Sequence, residues 1–134
     1  MRMTDPGEYG TIEVRETIVE IAVSDLAKSR EWYSRLLGRG PDLEPFPGNI
    51  EFRVGGAWLQ IVAGEVKPSS WGLRIEVRDV SRERERLRTA GIDASEVKTV
   101  PGTISFFGVR DPDESDLLFF QVLTSDPKVT GGRA

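Results

Sequence analysis

The sequence predicts an α+β domain: two βαβββ modules forming a curved mixed sheet with a concave cleft, helices outside. Three observations point there. The apolar period switches from two to 3.6 and back along the chain. Ile21-Ala22-Val23-Ser24-Asp25-Leu26 recurs as Ile75-Glu76-Val77-Arg78-Asp79-Val80, and Phe52-Arg53-Val54 is matched by Phe107-Gly108-Val109. Each expected helix also ends at a glycine, Gly38 or Gly91, the residue that takes the left-handed C′ position without a Cβ penalty. A repeat of this kind means neither half buries enough apolar surface alone, and two halves share one core.

The elements follow in order. Thr17 to Val23 reads as a strand, with Val19, Ile21 and Val23 on one face and Ile18, Glu20 and Ala22 on the other. Ser24 and Asp25 offer an N-cap to a helix over Leu26–Leu37. Leu26, Ser29, Tyr33, Leu36 and Leu37 make its apolar stripe, with Trp32 at the border. Pro41, Pro45 and Pro47 make the next stretch irregular, with a short edge strand near Leu43. Asn49–Val54 and Trp58–Val62 form a hairpin across Gly55-Gly56. The second module repeats the order: strand Leu73–Val77, cap Asp79, helix Val80–Ala90, a weak strand Glu96–Val100, then strands Thr103–Val109 and Leu117–Leu123. Asp111-Pro112-Asp113-Glu114 is a type I turn. One domain is expected over residues 1–124, with modules near 17–63 and 71–123; residues 1–10 read as an arm and 125–134 as a flexible tail.

Composition narrows the function. The 134 residues suffice for one ordinary core. A net charge of −4 disfavours nucleic acid as a partner. The basic run Arg82 to Arg88 alternates with glutamates and reads as a solvated helix face, with Arg84 where the stripe wants an apolar residue. No apolar run reaches the ~18 residues of a membrane span, and no apolar segment opens the chain, so a cytoplasmic protein is expected. There are no cysteines and no histidines. Thiol chemistry, Ser-His-Asp catalysis and the commonest zinc ligand go with them.

Val23-Ser24-Asp25-Leu26-Ala27-Lys28-Ser29, Trp32-Tyr33 and Leu36-Leu37-Gly38 together resemble the first module of the vicinal-oxygen-chelate superfamily, which contains glyoxalase I, bleomycin-resistance proteins and extradiol dioxygenases. Ile75 to Val80 with Leu87-Arg88-Thr89-Ala90-Gly91 resembles its second module, and Asp111-Pro112-Asp113 before Leu117-Leu118-Phe119-Phe120 its final hairpin. The resemblance implies a metal held by one side chain from each of four strands. Those positions fall on Ile18, Gln60, Gly72 and Leu118, where only Gln60 carries a donor, and a poor one. No bound metal and no cofactor are therefore expected. The resemblance also implies a homodimer in which a second chain completes the cleft.

Strand alternation gives the candidate ligand-binding residues: Glu20, Trp58, Gln60, Trp71, Arg74, Glu76, Leu118 and Phe120. Glu20 and Arg74 hold equivalent places in the modules, on strands that neighbour each other in the resembled fold. They are expected to meet, as a ligand anchor or as a structural ion pair. Trp58 and Trp71 offer flat walls to an aromatic ligand, or else pack as core and loop anchor. Glu20 and Glu76 sharing a cavity would supply an acid and a base, which Arg74 between them opposes. No residue is assigned a catalytic role. The function expected is metal-free sequestration or sensing of a small organic molecule. The alternatives are a lyase, isomerase or dioxygenase-like enzyme with a non-standard metal or none, and a protein whose cleft is vestigial.

Overall fold

The computed structural model describes residues 10–68 and 70–126, without the side chains of Ser70 and Trp71. Most of the expected arm and tail lies outside the described residues. The first module runs β1 (Ile18–Val23), α1 (Leu26–Leu37), β2 (Leu43–Phe46), β3 (Asn49–Val54) and β4 (Ala57–Ala63). The second runs β5 (Ser70–Glu76), α2 (Val80–Thr89), β6 (Lys98–Val100), β7 (Ile104–Arg110) and β8 (Asp116–Val122). Local chemistry sets the boundaries. Asp25 and Asp79 each accept from the backbone N–H three residues on, and Gly38 and Gly91 take left-handed φ of 76° and 81° past the helix ends.

The strands form two four-stranded mixed sheets, ordered β1-β4-β3-β2 and β5-β8-β7-β6. The α+β class and the two βαβββ modules are as the sequence predicts; what is corrected is the expected neighbouring of the two first strands. β1 and β5 are not hydrogen-bonded neighbours; each is the outer strand of its own sheet. A second correction concerns the repeat. Pairing aligns Glu20, Gln60 and Glu51 across the first sheet and Arg74, Leu118 and Gly108 across the second. Glu51, not Arg53, therefore stands where the second module has Gly108. The match of Phe52-Arg53-Val54 to Phe107-Gly108-Val109 is one of sequence and not of register.

One core spans both modules. Val23, Tyr33, Leu36, Ile50, Phe52, Leu59 and Ile61 of the first join Val80, Leu87, Phe107, Val109, Leu117 and Phe119 of the second. Phe107 and Phe119 stack in parallel at 5.2 Å. Trp32 packs edge-on against Tyr33 at 4.8 Å, which makes this pair structural. Of the aliphatic row expected under the helices, Val19 is instead 39% exposed, because β1 is an edge.

Polar contacts fix how the modules sit. The Tyr33 hydroxyl donates to Asp111 Oδ2 at 2.7 Å, and Asp111 is 4% exposed. Its other oxygen accepts from the N–H groups of Asp113 and Ser115, at 2.9 and 2.8 Å. Asp113 in turn accepts from the backbone and the hydroxyl of Ser24, between β1 and α1. At the far end, Arg86 of α2 donates to the carbonyls of Arg35 and Leu36, satisfying the last turn of α1. Arg84, the charge in the apolar stripe of α2, donates to the Ser95 carbonyl at 2.7 Å. Gln121 accepts from Val80 N–H at 3.1 Å and so caps α2.

Burial, and then the Asp111 charge, push the Tyr33 phenol far above its ordinary range. Tyr33→Phe leaves a buried carboxylate one donor short. Denaturant melts are expected to show a loss of about 1.5–3 kcal/mol at unchanged slope. The unfolded chain loses the tyrosine proton near pH 10, while the folded chain keeps it. Wild-type stability therefore falls as pH rises above about 10, and the Tyr33→Phe variant loses that part of the decline.

Candidate functional site

Each sheet turns a non-core face outward, and the predicted site residues divide between the two. On the first, Glu20 lies beside Gln60, which lies beside Glu51; Ile18, Trp58 and Arg53 form the next row. Trp58 is not a free wall. The Arg53 guanidinium sits 5.1 Å from its ring centre and is held by Glu16 at 2.8 Å. That hydrogen bond holds the Glu16 carboxyl below its usual value.

On the second sheet, Arg74 lies beside Leu118 and Gly108, and Glu76 beside Phe120, Phe106 and Lys98. Here a cleft of about 690 Å³ opens, within the range typical of small-molecule sites. Phe106, Gly108 and Leu118 line it, Arg110 and Asp116 close one end as an ion pair at 3.0 Å, and Lys98 stands at the other. The segment Asp93–Glu96 forms a rim. Ser95 N–H donates to the Gly108 carbonyl at 2.9 Å, and the Ser95 hydroxyl accepts from Gly108 N–H at 2.8 Å. Arg84 secures the same rim from α2.

The difference between the modules has a simple cause. Glu51 fills the middle of the first face and is buried there, whereas Gly108 contributes no side chain to the second. A further hollow of about 770 Å³ lies between α1 and the β2–β3 turn. Apolar side chains and the ion pair of Arg30 with Glu44 line it, and the buried Asn49 Oδ1 beside it has no hydrogen-bond partner.

The predicted meeting of Glu20 and Arg74 is not found. Both are exposed, they stand on outer strands of different sheets, and they form no ion pair. The physical reason is the topology: β1 and β5 do not pair within one chain, and the modules meet instead through Tyr33, Asp111 and Arg86. Glu20 and Glu76 likewise stand on separate sheets. Leu118 lines the cleft and Phe120 lies next to it, while the Trp71 side chain lies outside the described residues. Sequence reasoning missed Phe106, Gly108, Arg110 and Lys98 because it took candidates from only some of the strands. The alternation Phe106, Gly108, Arg110 against Ser105, Phe107, Val109 carried the signal.

A model of the Glyoxalase/Bleomycin resistance protein/Dioxygenase superfamily matches residues 17–119. The chain belongs to that superfamily. Similar solved structures include a glyoxalase/bleomycin resistance protein from Catenulispora acidiphila, at 23% identity and TM-score 0.71, covering 80% of this chain and 97% of that one. Lactoylglutathione lyase from Agrobacterium tumefaciens is similar at 14% identity and TM-score 0.67, over 82% and 95% of the two chains. A glyoxalase/bleomycin resistance protein/dioxygenase from Nocardioides is similar at 21% identity and TM-score 0.67, over 89% and 91%. At these identities the likeness is one of fold. No curated protein matches the chain.

The superfamily's metal positions do not fit a metal here. Ile18 and Leu118 are apolar, Gly72 has no side chain, and Gln60 offers one neutral amide. Among the described residues, no three His, Cys, Asp or Glu side chains are grouped to hold an ion. Elemental analysis of purified protein is expected to find zinc, manganese, iron and nickel each well below one per chain.

Proposed function

We propose that this protein binds a small organic molecule without a metal, in the cleft of the second module, as a cytoplasmic homodimer. The observation that carries the reading is the open space over Gly108, walled by Phe106 and Leu118 and edged by charged side chains. A site of that kind combines apolar surface for affinity with a few polar groups for orientation. Sequestration or sensing needs nothing more. No helix among the described residues is long and apolar enough to cross a membrane, in keeping with this reading.

The dimer rests on the open edges. β1 and β5 each present unpaired backbone groups on one side, a feature that folded proteins cover or blunt. Ile18 is 55% exposed on one edge, and the opposite charges Glu20 and Arg74 stand on the two. A twofold axis that lays β1 beside β5 of a second copy pairs both edges at once. It also brings Glu20 toward Arg74 of the partner subunit, and the two half-sites toward each other.

An enzymatic reading is supported by the shared fold with a lactoylglutathione lyase, but among the described residues no donor set for a metal accompanies it. Two measurements test the proposal. Light scattering at micromolar concentration is expected to give about 30 kDa, twice the 14.9 kDa chain; a monomer mass would remove the dimer. A thermal-shift screen against antibiotics and aromatic metabolites is expected to find compounds that raise the melting temperature. Gly108→Val should cancel those shifts; a Cβ there meets Leu117 O at 3.5 Å and Ser95 Oγ at 3.9 Å, ordinary contacts, and a denaturant melt of the variant checks that the fold is kept. Shifts that survive in the variant would place binding elsewhere.

A further inference from the structure

The chemistry around the cleft narrows the ligand, on the reading that this cleft is the binding site. Two of its five charged lining residues, Arg110 and Asp116, neutralise each other. The remaining three, Asp93, Glu96 and Lys98, are exposed, and among the described residues none of them has an ion-pair partner. Lys98 is the cross-strand partner of Phe106, so its stem runs beside the aromatic floor. Glu96 lies two residues before it on the same margin, and the rim that carries Glu96 is tied to the floor through Ser95 and Gly108. One margin of an apolar slot thus offers an unpaired cation and an unpaired carboxylate side by side.

A monoanion gains from Lys98 and is repelled by Glu96 and Asp93. A monocation meets the reverse conflict. A molecule carrying both charged groups on one carbon satisfies both groups, and a flat apolar body attached to it covers Phe106, Gly108 and Leu118. We propose that the cleft takes a zwitterionic ligand with a flat apolar body, the pattern of an aromatic α-amino acid, its carboxylate toward Lys98 and its ammonium toward Glu96.

The test uses three probes: L-tryptophan, L-tryptophanamide without the carboxylate, and N-acetyl-L-tryptophan without the ammonium. Each is titrated into ¹⁵N-labelled full-length protein, following the Gly108, Leu118 and Lys98 amides. L-tryptophan is expected to bind tightest, with each charge deletion costing about two- to fivefold, the range for exposed ion pairs. In Lys98→Gln the amide should bind as well as the acid; in Glu96→Gln the acetylated probe should bind as well as the free amine. That matched loss is what a double-mutant cycle reads as direct coupling. Equal or tighter binding of either single-charge probe to the wild type overturns the zwitterion assignment while leaving the cleft as the site. Cleft amides unmoved by all three probes overturn the zwitterion assignment; if the screening hits also survive Gly108→Val, the site reading falls with it.

Discussion

The hydrogen bond from Tyr33 to Asp111 constrains more of this molecule than any other contact. Tyr33 lies on the buried stripe of α1, and Asp111 opens the β7–β8 turn of the other module. A carboxylate with three donors is satisfied even when buried, so the turn has one place to sit. Asp113, two residues on, fixes the junction of β1 and α1. The modules therefore pack with one shared core between them. Each first strand remains the outer strand of its own sheet, and the predicted site residues divide between the two sheets.

The two faces then diverge through single residues. In the first module Glu51 fills the middle of the face and Arg53 covers Trp58. In the second, Gly108 leaves room and Ser95 anchors a rim beside it. An internal repeat thus supplies one architecture twice, and side-chain substitution within the repeat leaves one half filled and the other open. The positions that the resemblance assigns to a metal follow the same pattern: Ile18, Gly72 and Leu118 lie on strands and carry no donor side chain.

Most of the fold was legible because the signals were local. Caps at Asp25 and Asp79, stops at Gly38 and Gly91, and alternation along the strands placed both helices and most strands to within a few residues. What alternation cannot say is which sheets join. The neighbouring of β1 and β5 was taken from resemblance, and the structure of the single chain replaced it with two separate sheets. The sequence shows Arg84 only as part of a solvated helix face and Asp111 only as a turn residue, since their partners Ser95 and Tyr33 lie on other elements. Of the predicted site residues only Leu118 lines the cleft, for a related reason. Faces of β1, β4, β5 and β8 were assigned, but the hairpin strand β7 and the rim before β6 supply much of the cleft.

The proposal on which the assembly turns is that β1 of one chain pairs with β5 of a second. The natural absence of cysteine allows a direct test, with cysteines introduced at both Glu20 and Arg74. Disulfides need Cα atoms about 4.4–6.8 Å apart, a distance reached by paired neighbouring strands. Mild oxidation of the Glu20→Cys/Arg74→Cys chain should give a covalent dimer on a non-reducing gel, while each single variant stays monomeric. A crosslink formed only within one chain, or none at all, would contradict the claim.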